Sequence, residues 1–107
     1  MSYFATSLIN EIAERISINP DVLLKEGVRP FLMERKKKLM IERLEMLSRY
    51  GVGGVKELEE KIRRGGIPEH PAWEDLIELT NLENELRETQ HDIEHLSETP
   101  SHSRGRV

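Results

Sequence analysis

The sequence contains no cysteine. That excludes disulfides, thiolate nucleophiles and cysteine-based metal sites, and it fits a reducing cytoplasm, the compartment expected for this chain. Aromatics are scarce too: Tyr3, Phe4, Phe31, Tyr50 and Trp73 are the full set. A thick core around a deep apolar ligand pocket is therefore not expected. Long apolar runs are also missing. Val22-Leu23-Leu24, Phe31-Leu32-Met33 and Leu39-Met40-Ile41 are typical of what there is, far short of a membrane span. The first twenty residues have neither a basic start nor an apolar signal core, so no export signal is expected. No stretch alternates with period two, so no strand is predicted, and no internal repeat is visible.

What is present is charge. Of 107 residues, 34% are charged and 36% hydrophobic, which suits one small, mostly helical domain. The net charge of -4 argues against a general nucleic-acid coat. Its distribution is uneven: residues 1–30 sum to -1, residues 31–64 to +4 and residues 65–107 to -7. A basic middle and an acidic last third attract each other when they fold side by side.

Apolar spacing lays out the helices. Phe4, Leu8, Ile12 and Ile16 recur every four residues, predicting an amphipathic helix over about 4–17. Asn19-Pro20-Asp21 reads as an N-cap, a proline at the first helical position and an acid in the first turn. Gly27 is the expected stop of that second helix. Pro30 then opens a longer one reaching Tyr50. Met33, Met40, Leu44 and Leu47 form its expected apolar seam, widened by Leu32, Leu39 and Met46. Gly51 ends it, Val55, Leu58 and Ile62 mark a short helix over about 55–64, and Gly65-Gly66 closes that. Pro71 begins the last helix, whose seam Leu79, Leu82, Leu86, Ile93 and Leu96 is interrupted at Thr89. The prediction is an all-α fold: an antiparallel hairpin of helices 30–50 and 71–96, a short connecting helix, and N-terminal helices over 1–27. Residues 1–96 would form one domain, and 97–107, poor in apolar residues, a disordered tail.

Several constellations invite a chemical reading. His91-Asp92-Ile93-Glu94-His95 has the H-x-x-E-H spacing of a zinc hydrolase, with Glu88 one turn earlier. With Ile93 in the seam, however, both histidines fall on a flank, and a solvated helix face is the reading adopted. Gly51-Val52-Gly53-Gly54 before Lys56 resembles a phosphate loop, but a charged helix precedes it and helix capping explains the glycines. Arg35-Lys36-Lys37-Lys38 with Arg43 and Arg49 suggests phosphate contacts. Consecutive helical residues point in different directions, though, and Glu34–Lys38, Lys38–Glu42 and Glu45–Arg49 can pair along the helix. Direct nucleic-acid binding is not expected. The carboxylates Glu57, Glu59, Glu60, Glu74, Asp75 and Glu78 raise a magnesium-dependent hydrolase, but Glu59 and Glu60 lie opposite Leu58 and Ile62 and face outward. No residue is assigned to catalysis, a cofactor or a metal.

One stretch resembles a known group. Pro30 to Tyr50, Gly51-Val52, Val55-Lys56-Glu57-Leu58-Glu59-Glu60-Lys61-Ile62, Gly65-Gly66, and Glu69-His70-Pro71-Ala72-Trp73-Glu74-Asp75 on to Leu86 are similar to small helical antitoxin-like proteins of archaea and bacteria. The resemblance implies a partner role towards small ribonuclease-like toxins and carries no active-site residues. No ribbon-helix-helix strand or helix-turn-helix is found at the N-terminus, so DNA autoregulation is not part of the expectation.

The sequence thus predicts a non-catalytic module that binds a protein partner, a nuclease-type toxin among the candidates, or binds itself. Leu79, Leu82, Leu86, Ile93, Met40, Leu44 and Leu47 would enter the partner's groove, with Trp73 as anchor or contact. Acids of the last helix would face a basic site on the partner. A self-associating homodimer and a small metal-dependent hydrolase are the alternatives.

Overall fold

The structure, a computed structural model, describes residues 2–98. Among them are four helices and no strand: α1 Tyr3–Arg15, α2 Pro20–Tyr50, α3 Val55–Arg63 and α4 Glu69–Glu98. The fold is all-α, with a short helix linking two long ones.

Helix ends follow local chemistry. Ser2 caps α1, its Oγ accepting from the Ala5 amide at 3.0 Å. Asn19 opens α2, its Oδ1 accepting from the Asp21 amide at 2.7 Å. Helices α1, α2 and α3 all finish on the same device, in which a residue at positive φ folds two amides back over the last turn. At α2 these are Gly51 to Ser48 and Val52 to Leu47; at α3, Gly65 to Ile62 and Gly66 to Lys61. Gly51 and Gly65 sit at φ 62° and 76°, and at α1 Ser17 takes this position at 60°.

Two boundaries differ from the sequence expectation. Gly27 does not stop a helix and Pro30 does not start one, because α2 runs through both. Pro30 removes one amide donor. Breaking the helix there would leave up to four carbonyls and four amides without helical partners, a larger loss. At the other end, α4 continues past residue 96. Ser97 is helical, its Oγ bonding to the Ile93 carbonyl at 3.3 Å and accepting from Arg29 at 3.0 Å. The remainder of the expected tail, residues 99–107, lies outside the described residues. The start of α4 carries a cis His70–Pro71 bond, and regular helix begins at Ala72.

The chain divides into two compact units, residues 35–91 and residues 2–34 with 92–98. In the first, the end of α2, α3 and most of α4 enclose a core of Met46, Leu47, Leu58, Ile62, Ala72, Leu76 and Leu79. Leu58 and Leu79 are wholly buried. Arg35, Arg43 and Arg49 of α2 pair with Glu85, Glu83 and Asp75 of α4 at 3.4, 3.0 and 3.3 Å. Numbers rising on one helix as they fall on the other make this an antiparallel hairpin. In the second unit only Ala13 and Ile93 are buried.

Candidate interaction surfaces

The face that α2 turns inward differs from the seam its apolar spacing suggested. Leu39, Met46 and Leu47 are buried, whereas Met33, Met40 and Leu44 are 48%, 46% and 57% exposed. The reason is electrostatic as well as apolar. Arg35, Leu39, Arg43, Met46 and Arg49 follow spacings of four, four, three and three, so they share one helix face. Only with that face turned in do the three arginines meet the acids of α4. The signal was present in the sequence, but a stripe that interleaves arginine with apolar residues reads as surface when arginine is scored as polar.

The α4 seam lies where its spacing put it. Leu79, Leu82 and Ile93 are buried, Leu86 is half-buried, and Thr89, in the interrupted position, is 4% exposed. These side chains are enclosed by the chain itself. Of the eight residues proposed for partner contact, Met40 and Leu44 are exposed; Leu47, Leu79, Leu82 and Ile93 are buried; Leu86 and Trp73 lie between. Trp73 packs against the core of the hairpin, and the Arg63 guanidinium stands over its ring, 5.9 Å from the centroid. Such a contact favours a cation over the ring face.

Around α3 the polar side chains tie the corner together. The Tyr50 hydroxyl donates to Asp75, which also receives Arg49. Burial, and then the bond to Asp75, push the Tyr50 phenol above its ordinary pKa. Lys61 Nζ donates to the Tyr50 carbonyl at 2.9 Å, adding to the cap at Gly51. Glu57 accepts from the Gly53 amide at 2.8 Å, ahead of α3. Glu59 pairs with Arg63 at 2.7 Å, and His70 Nδ1 lies 3.0 Å from Glu74. Glu74 is held below the usual carboxylate range by its own backbone amide and by His70. The glycines between α2 and α3 therefore serve turns and caps, and Glu57, Glu59, Glu74 and Asp75 are each engaged by a different group. Among the described residues no group of three or more His, Asp or Glu side chains is placed to hold a metal ion, and His91 and His95 are exposed. No helix is long and apolar enough to cross a membrane, again among the described residues.

Charge on the outer side of α2 is arranged differently from expectation. The pairs Glu34–Lys38, Lys38–Glu42 and Glu45–Arg49 are not formed; Arg49 turns to Asp75 instead. Isolated pairs along an exposed helix are worth only tenths of a kcal/mol, so a partly buried acceptor on α4 prevails. Likewise Asp75, Glu83 and Glu85, acids that were expected to face a partner, are engaged by the arginines of α2.

Exposed apolar side chains concentrate in residues 2–34. Tyr3, Phe4, Leu8, Ile16, Ile18, Val22, Val28, Phe31 and Met33 are there, with Tyr3, Phe4 and Phe31 exposed by 90%, 74% and 71%. Elsewhere among the described residues the exposed large apolar side chains are Met40, Ile41, Leu44 and Ile77.

These features define a class: an all-α chain built on a charge-stitched helical hairpin. Residues 1–101 match the Uncharacterized protein MJ0235 family, and the chain belongs to it. No curated protein and no solved structure matches the chain.

Proposed function

We propose that this chain is a non-catalytic interaction module that docks a partner protein on the apolar surface of residues 2–34. One observation carries the reading: nine large apolar side chains are exposed there, while Ala13 alone in that stretch is buried. Scattered exposed apolar residues are ordinary, but a concentration on one segment is the mark of a docking surface. Phe4 and Leu8, one turn apart on α1, and Phe31 on α2 supply the apolar anchors that a groove on a partner would take. The antitoxin-like form of this role, with a small ribonuclease-like toxin as partner, is the one implied by the sequence resemblance.

The test is affinity capture of the tagged chain from the cells that make it, beside a variant carrying Phe4→Ser and Phe31→Ser. Both sites are largely exposed, so circular dichroism should show unchanged helicity. The expected result is one protein in stoichiometric amount with the wild-type chain and none with the variant. Recovery of the wild-type chain alone, or retention of the same protein by the variant, overturns the reading.

A further inference from the structure

A second stretch of exposed apolar surface lies on α2 within residues 35–91. On the outer side of α2, Met40, Ile41 and Leu44 are exposed by 46%, 46% and 57%. Lys37, Met40 and Leu44 follow spacings of three and four, which places them on one stripe with Ile41 beside it. The charges around this stripe are unspent. Lys37, Lys38, Glu42 and Glu45 form no ion pair or hydrogen bond among the described residues, in contrast to the arginines on the opposite side of the helix.

Between residues 37 and 45 the order along the stripe is basic, apolar, acidic, and such an order is its own complement when reversed. We infer that two copies of this chain associate through this face, α2 against α2, antiparallel about Ile41. Reversal about residue 41 exchanges position 37 with 45 and position 38 with 44. Lys37 then meets Glu45 of the other copy, and Lys38 stands beside the same carboxylate. The two-fold axis makes each contact twice. Ile41 meets its counterpart on the axis, Met40 and Leu44 close over it, and the lysine stems add apolar cover while their ammonium groups reach the acids. A parallel pairing would set Lys37 on Lys37 and Glu45 on Glu45, and like charges in contact disfavour it. The charge order thus selects both the occupant, a second copy, and its direction. Met33 lies one turn before Lys37 on the same side of α2, but the self-association rests on residues 37–45 and the docking on α1 and Phe31, so each can fail without the other.

Sedimentation equilibrium of the purified full chain, at micromolar concentration and low salt, should show a dimer. Leu44→Asp should weaken it at least about tenfold, since a carboxylate enters the centre of the interface. Lys37→Glu with Lys38→Glu, and separately Glu45→Lys, should each weaken it about fivefold through like-charge contacts. All three changes in one chain should restore association; in a parallel pairing, where each position meets itself, neither set alone would weaken it. The absence of native cysteine permits a second readout: Ile41→Cys should cross-link to itself on mild oxidation, and Ser48→Cys should not. All these positions are exposed, so helicity should be kept throughout. A monomeric wild-type chain, unchanged association in Leu44→Asp, failure of the triple variant to recover, or cross-linking at Ser48→Cys overturns the inference. So does a dimer that only Phe4→Ser with Phe31→Ser dissociates, which would place self-association on residues 2–34.

Discussion

Ser17 holds a backbone conformation that favours glycine. Its φ of 60° lets the Ser17 and Ile18 amides fold back onto Glu14 and Ala13, and the equivalent positions after α2 and α3 are Gly51 and Gly65. A side chain at such an angle costs about 1 kcal/mol relative to glycine, partly offset by the greater freedom glycine has in the unfolded chain. Ser17→Gly should therefore stabilise the protein by about 0.5 kcal/mol in urea unfolding; a loss of stability would show that the serine side chain supports the turn. Tyr50 gives a second test. Its phenol is shifted upward, by burial first and then by the bond to Asp75, so the folded protein holds this proton more tightly than the unfolded chain. The associated stability is complete below pH 10, the ordinary tyrosine value, and is lost as pH rises from there through the folded pKa. Tyr50→Phe should cost about 1 kcal/mol at neutral pH and flatten that alkaline decline. An unchanged pH profile would separate Tyr50 from it.

The long helices are held by both an apolar seam and a charged rail. Arg43 and Glu83 are both partly shielded, at 32% and 27% side-chain exposure. Glu83→Lys should cost about 1 kcal/mol, and adding Arg43→Glu should recover most of it. Independent, additive losses in that cycle would mean that the pair does not act as a pair. Leu82 tests the seam itself. It is buried in the chain's own packing, so Leu82→Asp should cost about 3–5 kcal/mol and reduce helicity by circular dichroism. Leu44→Asp, on the exposed side of α2, should leave helicity intact. The two substitutions separate the face that folds this chain from the face available to others, and equal effects would deny that distinction.

Burial is distributed unequally over the molecule. The core of Met46, Leu47, Leu58, Ile62, Ala72, Leu76 and Leu79 falls entirely within residues 35–91, whereas α1 contributes only Ala13 to the buried set. Local opening is cheapest where few apolar contacts are lost. Amides of α1 should therefore exchange with deuterium well before those of α3 and of residues 76–82, as read by peptide-resolved mass spectrometry. Uniform protection over both segments would contradict that gradient. A protein docked on residues 2–34 should slow exchange in α1 and leave α3 unchanged, because ordering is gained where apolar surface is covered.

Much of this architecture is written locally. Asn19, Gly51 and Gly65 mark helix ends because capping needs only a few neighbouring residues. The α4 seam is legible as a period, down to buried Thr89 in the place of an apolar residue. Local rules failed at Gly27 and Pro30, where breaking signals are outweighed by the hydrogen bonds an interrupted helix would lose. They failed again on α2, which carries two overlapping stripes. Spacing alone does not choose between Met33, Met40 and Leu44 on one side and Leu39 and Met46 on the other. The choice depends on Asp75, Glu83 and Glu85, which are distant in sequence and meet Arg49, Arg43 and Arg35 only once the hairpin closes. Periodicity along a chain establishes that a helix has an apolar face; which face is buried follows from the charges and shapes that folding brings opposite it.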